Sequence, residues 1–259
     1  VSIVDDEVQR DAQALAATLL EQRWDFLELT PSHLRQLGGV ERSMAAIGFG
    51  GEAISGEQWE ALRALPDSDA YNLYGPTEGT VDALVARVSD TPRPVIGHPV
   101  DGVRAYVLDD HLLPVADGVD GELYLAGAGL ARGYLARGEL TAERFVADPI
   151  AGDGTRMYRT GDVVRWTTAG ANGPGAAAIE YRGRGDDQVK IRGHRVELGD
   201  VEAAMLADAD VSAAIAVARG GHLIGYVVPA QDRTPEASAI RARLRSSLPD
   251  YMAVSYTHL

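Results

Sequence analysis

The spacing of apolar residues changes near residue 80, and this change constrains the fold more than any other feature of the sequence. Up to Leu73, helical stretches alternate with short apolar runs, which is typical of a parallel sheet with helices on its faces. From Thr80 onward, strand candidates follow one another with Gly, Pro and Asp turns between them, which predicts antiparallel β structure. The sequence therefore predicts a mixed α/β fold with a β-rich second part.

The first 75 residues contain three predicted helices and three predicted strands. Either Thr30 or Ser32 can cap the second helix, which runs through Leu37. The predicted helices are Asp5–Glu21, the one ending near Leu37, and Ser55–Leu65; the predicted strands are Phe26–Leu29, Ala45–Phe49 and a run that ends at Tyr71–Leu73.

The rest of the chain is predicted to complete a first domain (residues 1–185) and to form a small α/β domain (residues 186–252) joined to it near Asp186. In the first domain the strands are Val81–Val88, Val103–Leu108, Glu122–Ala126 and Val163–Trp166, with a helix over Glu139–Val146, a Gly/Ala-rich loop over Ala169–Ala178 and an exposed linker over Gly183–Gly193. The small domain has helices at Gly199–Ala207 and Pro235–Ser247 and strands at Ala213–Ala218 and Leu223–Val228.

Charge and composition exclude several classes of function. The 24 basic residues are outnumbered by 38 acidic ones, which gives a net charge of −14 and argues against nucleic acid as a partner. The sequence has no cysteine, so disulfides and thiolate chemistry are excluded. No apolar run reaches the length of about 18 residues that a membrane span needs, and no membrane partner is expected. The expected location is the cytoplasm.

One glycine-containing segment, Tyr71–Glu78, leads from an apolar strand into a Gly-Pro turn followed by a hydroxyl and a carboxylate. The Thr77 hydroxyl can donate to a phosphate oxygen, and the adjacent Glu78 carboxylate then requires a cation such as Mg²⁺, which prefers oxygen ligands and phosphate partners. Tyr74 offers a flat face for base stacking, worth roughly 1–3 kcal/mol. The alternative interpretation is an ordinary turn with a capping threonine.

Three further segments combine glycine with polar side chains. Gly121–Tyr134 lacks the GxGxxG spacing of a dinucleotide-binding turn and is interpreted as tight strand-to-loop packing. Tyr158–Asp162 places an aspartate before a strand, where it can accept hydrogen bonds from the diol of ribose or act as a simple turn residue. Tyr181–Gly199 is basic within an acidic chain, which indicates an anionic ligand or a hinge; a nucleic-acid groove is disfavoured because the patch is short and poor in aromatic residues.

Taken in order, these segments resemble the adenylation domains of nonribosomal peptide synthetases, which belong to the adenylate-forming superfamily together with acyl-CoA synthetases and luciferases. The resemblance extends from about Phe26 to Met252. It implies the C-terminal part of the large adenylate-forming N-domain, including its β-rich subdomain, followed by a small C-terminal α/β lid domain. The matching segments are Gly50–Ala53, Asn72–Glu78, Gly121–Leu135, Tyr158–Asp162 and Gly183–Glu202.

The resemblance implies an ATP-dependent amino-acid ligase that acts in two steps. The substrate carboxylate attacks the α-phosphate of ATP, which gives an aminoacyl-adenylate and pyrophosphate. A phosphopantetheine thiol on a carrier protein then takes the acyl group. The protein contributes mainly by positioning and charge neutralisation. The expected partners are the amino acid, a peptidyl carrier protein and neighbouring synthetase domains, with ATP and Mg²⁺ as cofactors.

The resemblance also implies roles for four residues of the segment Asn72–Glu78. Asn72 and Tyr74 would hold the adenine, Thr77 would contact the α-phosphate, and Glu78 would bind Mg²⁺. Each of these roles suits the chemistry of its side chain, although spacing alone does not assign them.

Five residues nearer the carboxyl terminus receive roles from the same resemblance. Asp162 would bind the ribose hydroxyls, with Tyr181 packed on the ribose and Arg184 close by. Asp186 would be the hinge about which the small domain rotates between the two steps. Lys190 would face the active site during thiol transfer.

Six positions match the substrate pocket of the family. Two carboxylates beside two glycines predict a roomy pocket that neutralises a cation, because a buried carboxylate is costly unless it is paired. A basic amino acid such as ornithine, lysine or diaminobutyrate is therefore expected, while serine remains open because Asp82 also suits small polar substrates. The six positions are Glu28, Gly48, Gly50, Leu73, Val81 and Asp82.

Three elements of the family pattern are not found in the sequence: the Ser/Thr/Gly-rich phosphate-binding loop that should precede these motifs, the aspartate that holds the amino group of the substrate, and the Gly-Lys that should follow Leu248–Met252. We therefore expect a C-terminal fragment with weak or no activity alone, and we interpret residues 253–259 as an artefactual tail. Two other hypotheses are a fragment of an aryl- or acyl-CoA-ligase-like enzyme and a non-catalytic docking module for a carrier protein.

Overall fold

The computed structural model describes residues 5–21, 23–167, 177–191, 193–219, 222–253 and 256–258. The chain divides into two compact units, Val1–Gly185 and Asp186–Leu259. The mixed α/β fold class is confirmed. Most of the loop predicted over Ala169–Ala178 lies outside the described residues. Within the described part of the chain, no helix is both long and apolar enough to span a bilayer.

The first sheet of the first unit has five strands in sequential order. Its first three strands are parallel, and the last two are antiparallel to their neighbours. The strands are β1 (Trp24–Leu29), β2 (Met44–Gly50), β3 (Asp69–Tyr74), β4 (Leu84–Arg87) and β5 (His98–Pro99).

Helices α3 (Pro31–Leu37) and α4 (Gly56–Arg63) connect the parallel strands and bury apolar side chains against the first sheet. Thr30 is the residue that caps α3, because its Oγ1 accepts from the His33 backbone N–H at 3.3 Å. The Ser55 hydroxyl caps α4 in the same way. The fully buried side chains of this core include Val40, Met44, Ile47, Phe49, Trp59 and Val88.

The single helix predicted over Asp5–Glu21 was wrong: the segment forms two helices, α1 (Asp6–Arg10) and α2 (Ala12–Leu20). Asp11 leaves the helical conformation, and its carboxylate accepts from the backbone N–H of Gln13 at 2.9 Å. An aspartate that caps the following helix therefore interrupts the apolar stripe.

The strand predicted over Val81–Val88 was wrong in its first half. Residues Thr77–Gly79 form a 3-10 turn, and Thr80 and Val81 adopt left-handed φ angles of 63° and 67°. A β-branched residue with positive φ is strained, and such strain is often found at functional sites. Gly75 permits this turn, because a Cβ at that position would overlap the Val81 carbonyl oxygen.

The second sheet of the first unit is antiparallel, with β9 pairing with three other strands. The helix predicted over Glu139–Val146 ends earlier, as α5 (Gly138–Arg144), because the next residues pair with β9. The strands are β6 (Val103–Leu108), β7 (Gly121–Gly127), β8 (Phe145–Ala147), β9 (Arg156–Trp166) and β10 (Ile179–Arg184).

The exposed linker predicted over Gly183–Gly193 was wrong, because β10 extends to Arg184 and a hairpin begins at Gln188. The second unit also contains a three-stranded sheet, whose last strand includes part of the segment that we interpret as a tail. Its elements are β11 (Gln188–Ile191), β12 (His194–Glu197), α6 (Leu198–Leu206), β13 (Val211–Arg219), β14 (His222–Pro229), α7 (Ala237–Ser247) and β15 (Tyr256–His258).

Gly97 and Gly102 provide a matched test of backbone packing in the first unit. Both have left-handed φ angles, +87° and +83°, so alanine causes similar strain at either position. A Cβ at Gly97 would overlap the Val85 carbonyl oxygen, whereas one at Gly102 meets no heavy atom of the described residues within 4 Å. We expect Gly97→Ala to lower the free energy of unfolding by about 1–3 kcal/mol more than Gly102→Ala.

Urea unfolding followed by tryptophan fluorescence measures this difference in the first unit alone, since Trp24, Trp59 and Trp166 are the three tryptophans of the chain. Equal effects of the two substitutions would contradict the close backbone approach at Gly97.

Candidate functional site

A cleft of about 620 Å³ opens at the carboxyl ends of the parallel strands β1, β2 and β3. This is the place where open α/β sheets commonly bind ligands. The residues that line it are Gln9, Glu28, Leu29, Thr30, His33, Gly50, Gly51, Leu73, Gly75, Thr77, Val81 and Asp82.

Five of the six residues predicted for the substrate pocket line this cleft, and Gly48 is the exception. Gly48 is packed against two neighbouring side chains instead: a Cβ at this position would lie 2.9 Å from both Leu73 Cδ1 and Phe26 Cζ. Phe26 itself, on β1, is 53% exposed. A glycine at 48 therefore leaves room for these two side chains.

Two carboxylates, Glu28 and Asp82, give the cleft its electrostatic character. Burial raises the pKa of Glu28, and the negative charge of Asp82 raises it further. Burial also raises the pKa of Asp82. Among the described residues that line the cleft, none is lysine or arginine. A bound cation would therefore offset the cost of burying the two negative charges and reduce the repulsion between them.

Three of the predicted motifs meet at the carboxylate of Asp162, which is only 3% exposed. The Tyr74 hydroxyl, at the end of β3, donates to Oδ2. The Arg184 guanidinium, at the end of β10, donates to Oδ1 at 2.9 Å. Burial and the Asp162 charge raise the pKa of Tyr74 well above its ordinary value, so its hydroxyl keeps the proton that it donates.

The two residues predicted to hold adenine are both buried, at 6% exposure each. The Asn72 side-chain amide donates to the Val95 carbonyl oxygen at 2.7 Å. The ring of Tyr74, predicted to stack on the base, is almost completely covered. Tyr181, predicted to pack on the ribose, is partly exposed on β10, directly opposite Val164 of β9.

Thr77 and Glu78 are adjacent in sequence but lie in different surroundings. Thr77 is exposed and lines the cleft. Glu78 is 6% exposed, and its Oε1 accepts from the Tyr134 hydroxyl at 2.5 Å. Among the described residues, no group of three or more His, Cys, Asp or Glu side chains could hold a metal ion. A cation at Glu78 would therefore need other oxygen ligands, such as phosphate oxygens.

Two predicted site residues belong to the second unit. Lys190 is exposed on β11, and its partner across the hairpin is Arg195. Asp186 is the first residue of the unit, and its carboxylate accepts from the Gln188 backbone N–H at 3.3 Å.

Sequence reasoning missed Tyr134 and Tyr158, whose hydroxyl oxygens lie 3.4 Å apart. The first of these contacts Glu78 directly, although 56 positions separate the two residues along the chain. The sequence offers one signal, a tyrosine at the end of the glycine-rich segment Gly121–Tyr134, but no spacing rule links such a residue to a distant carboxylate.

Comparison with known proteins identifies the family to which the chain belongs. The family described as AMP-binding enzyme matches residues 1–135. Vanchrobactin synthetase VabF of Vibrio anguillarum is 41% identical over 96% of this chain. The chain spans only 9% of that protein's length.

Two solved structures extend the similarity to the fold. The structure of IdnL1 aligns with a TM-score of 0.83 and 29% identity, over 98% of this chain and 54% of that one. PA1221, a nonribosomal peptide synthetase protein with adenylation and PCP domains, aligns with a TM-score of 0.80 and 27% identity, over 96% and 44% of the two chains.

The ion pair of Asp162 and Arg184 provides a stability prediction. Removal of one partner leaves an uncompensated buried charge, so we expect Arg184→Ala to lower the free energy of unfolding by about 3–5 kcal/mol. The control is Arg87→Ala, because Arg87 pairs with Asp69 at the surface, where both side chains are more than 40% exposed. The control should cost about 0–1 kcal/mol in the same urea titration. Similar losses in both variants would show that the Asp162 site is not a buried charge network.

Proposed function

The chain belongs to the AMP-binding enzyme family, and on this basis we propose that it activates an amino acid with ATP as part of a nonribosomal peptide synthetase adenylation domain. The observation that carries the proposal is the convergence of three motif segments on the buried carboxylate of Asp162. Such a carboxylate, flanked by fixed donors, is suited to bind the two hydroxyls of a ribose.

Asp162 retains the capacity that this role requires. Each of its oxygens accepts a hydrogen bond from one side chain, Tyr74 or Arg184. An ionised carboxylate has about four lone-pair sites, so acceptor capacity remains for ribose hydroxyls. Arg184 offsets the carboxylate charge, and the Tyr74 hydroxyl fixes its orientation. Asn72 and Tyr74 lie on the same strand end, which supports adenine binding beside them, although the Tyr74 ring and the Asp162 carboxylate would have to become more exposed.

The reacting groups are assigned to the cleft at the strand ends. Thr77 lines this cleft together with Glu28 and Asp82, and its hydroxyl would donate to the α-phosphate. Glu78 would hold Mg²⁺ with phosphate oxygens as the other ligands, and the ion would offset the phosphate charge. The chain itself acts by orienting the amino-acid carboxylate toward the α-phosphate and by fixing both reactants in one cleft.

We assign the second step to a carrier protein whose phosphopantetheine thiol takes the aminoacyl group. PA1221 is a nonribosomal peptide synthetase protein with adenylation and PCP domains, which supports a partner of this kind. In this proposal Asp186 is the hinge residue, and Lys190 acts in the thiol-transfer step. The same assignment implies that neighbouring synthetase domains are also partners of the chain and that it acts in the cytoplasm.

The test of the proposal is amino-acid-dependent exchange of pyrophosphate into ATP by a longer protein that contains this chain, because the chain alone is expected to have weak or no activity. ATP binding is measured by calorimetry in parallel. We expect Asp162→Asn to weaken ATP binding by about 10- to 100-fold, because it removes the charge from hydrogen bonds to the ribose. The control, Asp69→Asn, makes the same chemical change in a surface ion pair and should leave binding intact. Tryptophan fluorescence verifies that both variants are folded. Unaltered ATP binding by Asp162→Asn would refute the assignment.

The two carboxylates of the cleft support a basic amino acid, such as ornithine, lysine or diaminobutyrate, as the substrate, with serine as the neutral alternative. We expect a panel of amino acids to give the strongest exchange with basic side chains. Glu28→Gln and Asp82→Asn should each weaken that response by about 10-fold, since each removes a charged acceptor.

The pH dependence gives the same hypothesis a second test. The pKa values of both carboxylates are raised, so on acidification they become protonated at a higher pH than carboxylates in water do. The KM for a basic substrate should therefore begin to rise at that higher pH. Exchange with neutral amino acids alone would contradict the basic assignment.

A further inference from the structure

Tyr134 connects the glycine-rich segment of the second sheet to the carboxylate of Glu78. Its hydroxyl donates to Glu78 Oε1 at 2.5 Å. The tyrosine is the donor of this bond, and the carboxylate is the acceptor. A hydrogen bond of this kind stabilises the ionised form of a carboxylate and fixes its rotation.

The same segment holds the turn around Glu78 at two other points. The Ala131 backbone N–H donates to the Glu78 carbonyl oxygen at 2.8 Å. The Thr80 hydroxyl donates to the Gly129 carbonyl oxygen at 2.6 Å. Main-chain and side-chain contacts together fix the Thr77–Gly79 turn against the segment that carries Tyr134.

Tyr134 is itself rigidly placed. Its backbone N–H donates to the Thr141 hydroxyl at 2.9 Å, and its ring makes an edge contact with Phe145 at a centroid distance of 5.6 Å. The preceding Gly133 has a φ of +137°, and a Cβ there would overlap the Thr141 side chain. Because glycine has no Cβ, Thr141 can lie close to residue 133, where its hydroxyl accepts the hydrogen bond from the Tyr134 backbone N–H.

From these contacts we infer that Tyr134 is a positioning residue that orients the Glu78 carboxylate for Mg²⁺ and the phosphates of ATP. The inference rests on the proposed function, because it requires that Glu78 binds the metal. Tyr134 engages one oxygen of the carboxylate and so selects which lone pairs face the cation. Mg²⁺ demands nearly ideal octahedral geometry, so a carboxylate that rotates freely is a poorer ligand than one held in place.

The chain contains a matched control for a purely structural hydrogen bond. Tyr106 also lies in the second sheet, and its hydroxyl donates to the Asp148 carboxylate at 3.1 Å. Asp148 is further engaged by Arg104 and by two backbone N–H groups, so its site is a closed structural network. Tyr106→Phe and Tyr134→Phe therefore make the same chemical change at two tyrosine–carboxylate pairs.

The experiment measures binding of Mn²⁺, as a spectroscopic substitute for Mg²⁺, by electron paramagnetic resonance in the presence and absence of ATP. We expect Tyr134→Phe to weaken ATP-dependent Mn²⁺ binding about 10-fold, which corresponds to the loss of one charge-assisted hydrogen bond. Tyr106→Phe should bind Mn²⁺ like the unsubstituted chain. In a Glu78→Gln background, Tyr134→Phe should have no additional effect, because the tyrosine acts through that carboxylate.

Each outcome has a distinct meaning. Equal Mn²⁺ affinity in Tyr134→Phe and the unsubstituted chain would overturn the positioning role and leave the proposed function standing. An additional loss in the Glu78→Gln background would overturn the claim that Tyr134 acts through Glu78. Absence of ATP-dependent Mn²⁺ binding in the unsubstituted chain would overturn both the positioning role and the proposed function.

Discussion

The buried carboxylate of Asp162 is the interaction on which the organisation of the first unit depends. Its partners come from different sheets: Tyr74 ends β3 of the first sheet, and Arg184 ends β10 of the second. A charge in such surroundings is tolerated only when its partners are held in place. The two sheets also share an apolar core that includes Leu84, Leu123 and other buried side chains. Hydrophobic contacts are non-directional and do not specify how the strand ends of the two sheets are aligned. The polar network around Asp162 fixes that alignment.

Backbone conformation has a comparable role around the cleft. Thr80 and Val81 are held in left-handed conformations that neither residue prefers. The strain is maintained by neighbours that fit closely: the Val81 carbonyl oxygen occupies the space left by Gly75, and the Thr80 hydroxyl is bonded to Gly129. As a result, Thr77 and Asp82 line the cleft, while Glu78, which follows Thr77, is nearly buried and accepts a hydrogen bond from Tyr134.

Local features of the fold could be read from the sequence, whereas contacts between distant segments could not. Apolar runs and capping residues identify β1, β2 and the helix that begins after Thr30, because each depends on neighbours along the chain. The hairpin after Arg184 was missed, since its charged and glycine-rich composition is also typical of linkers. The family resemblance indicated the residues that meet at Asp162, but the bond from Tyr134 to Glu78 depends on tertiary packing that no local pattern encodes.

The carboxylates of the described site favour cations as ligands. Glu28, Glu78, Asp82 and Asp162 are all carboxylates, and the described residues that line the cleft include no lysine or arginine. Arg184 is already engaged with Asp162, so it offsets a protein charge rather than a phosphate charge. A triphosphate would be repelled by such a site unless Mg²⁺ neutralised it near Glu78 and a cationic amino acid neutralised the pair of Glu28 and Asp82. In the proposed function, nucleotide, Mg²⁺ and a basic substrate would therefore bind with positive cooperativity, since each offsets charge that the others leave unpaired.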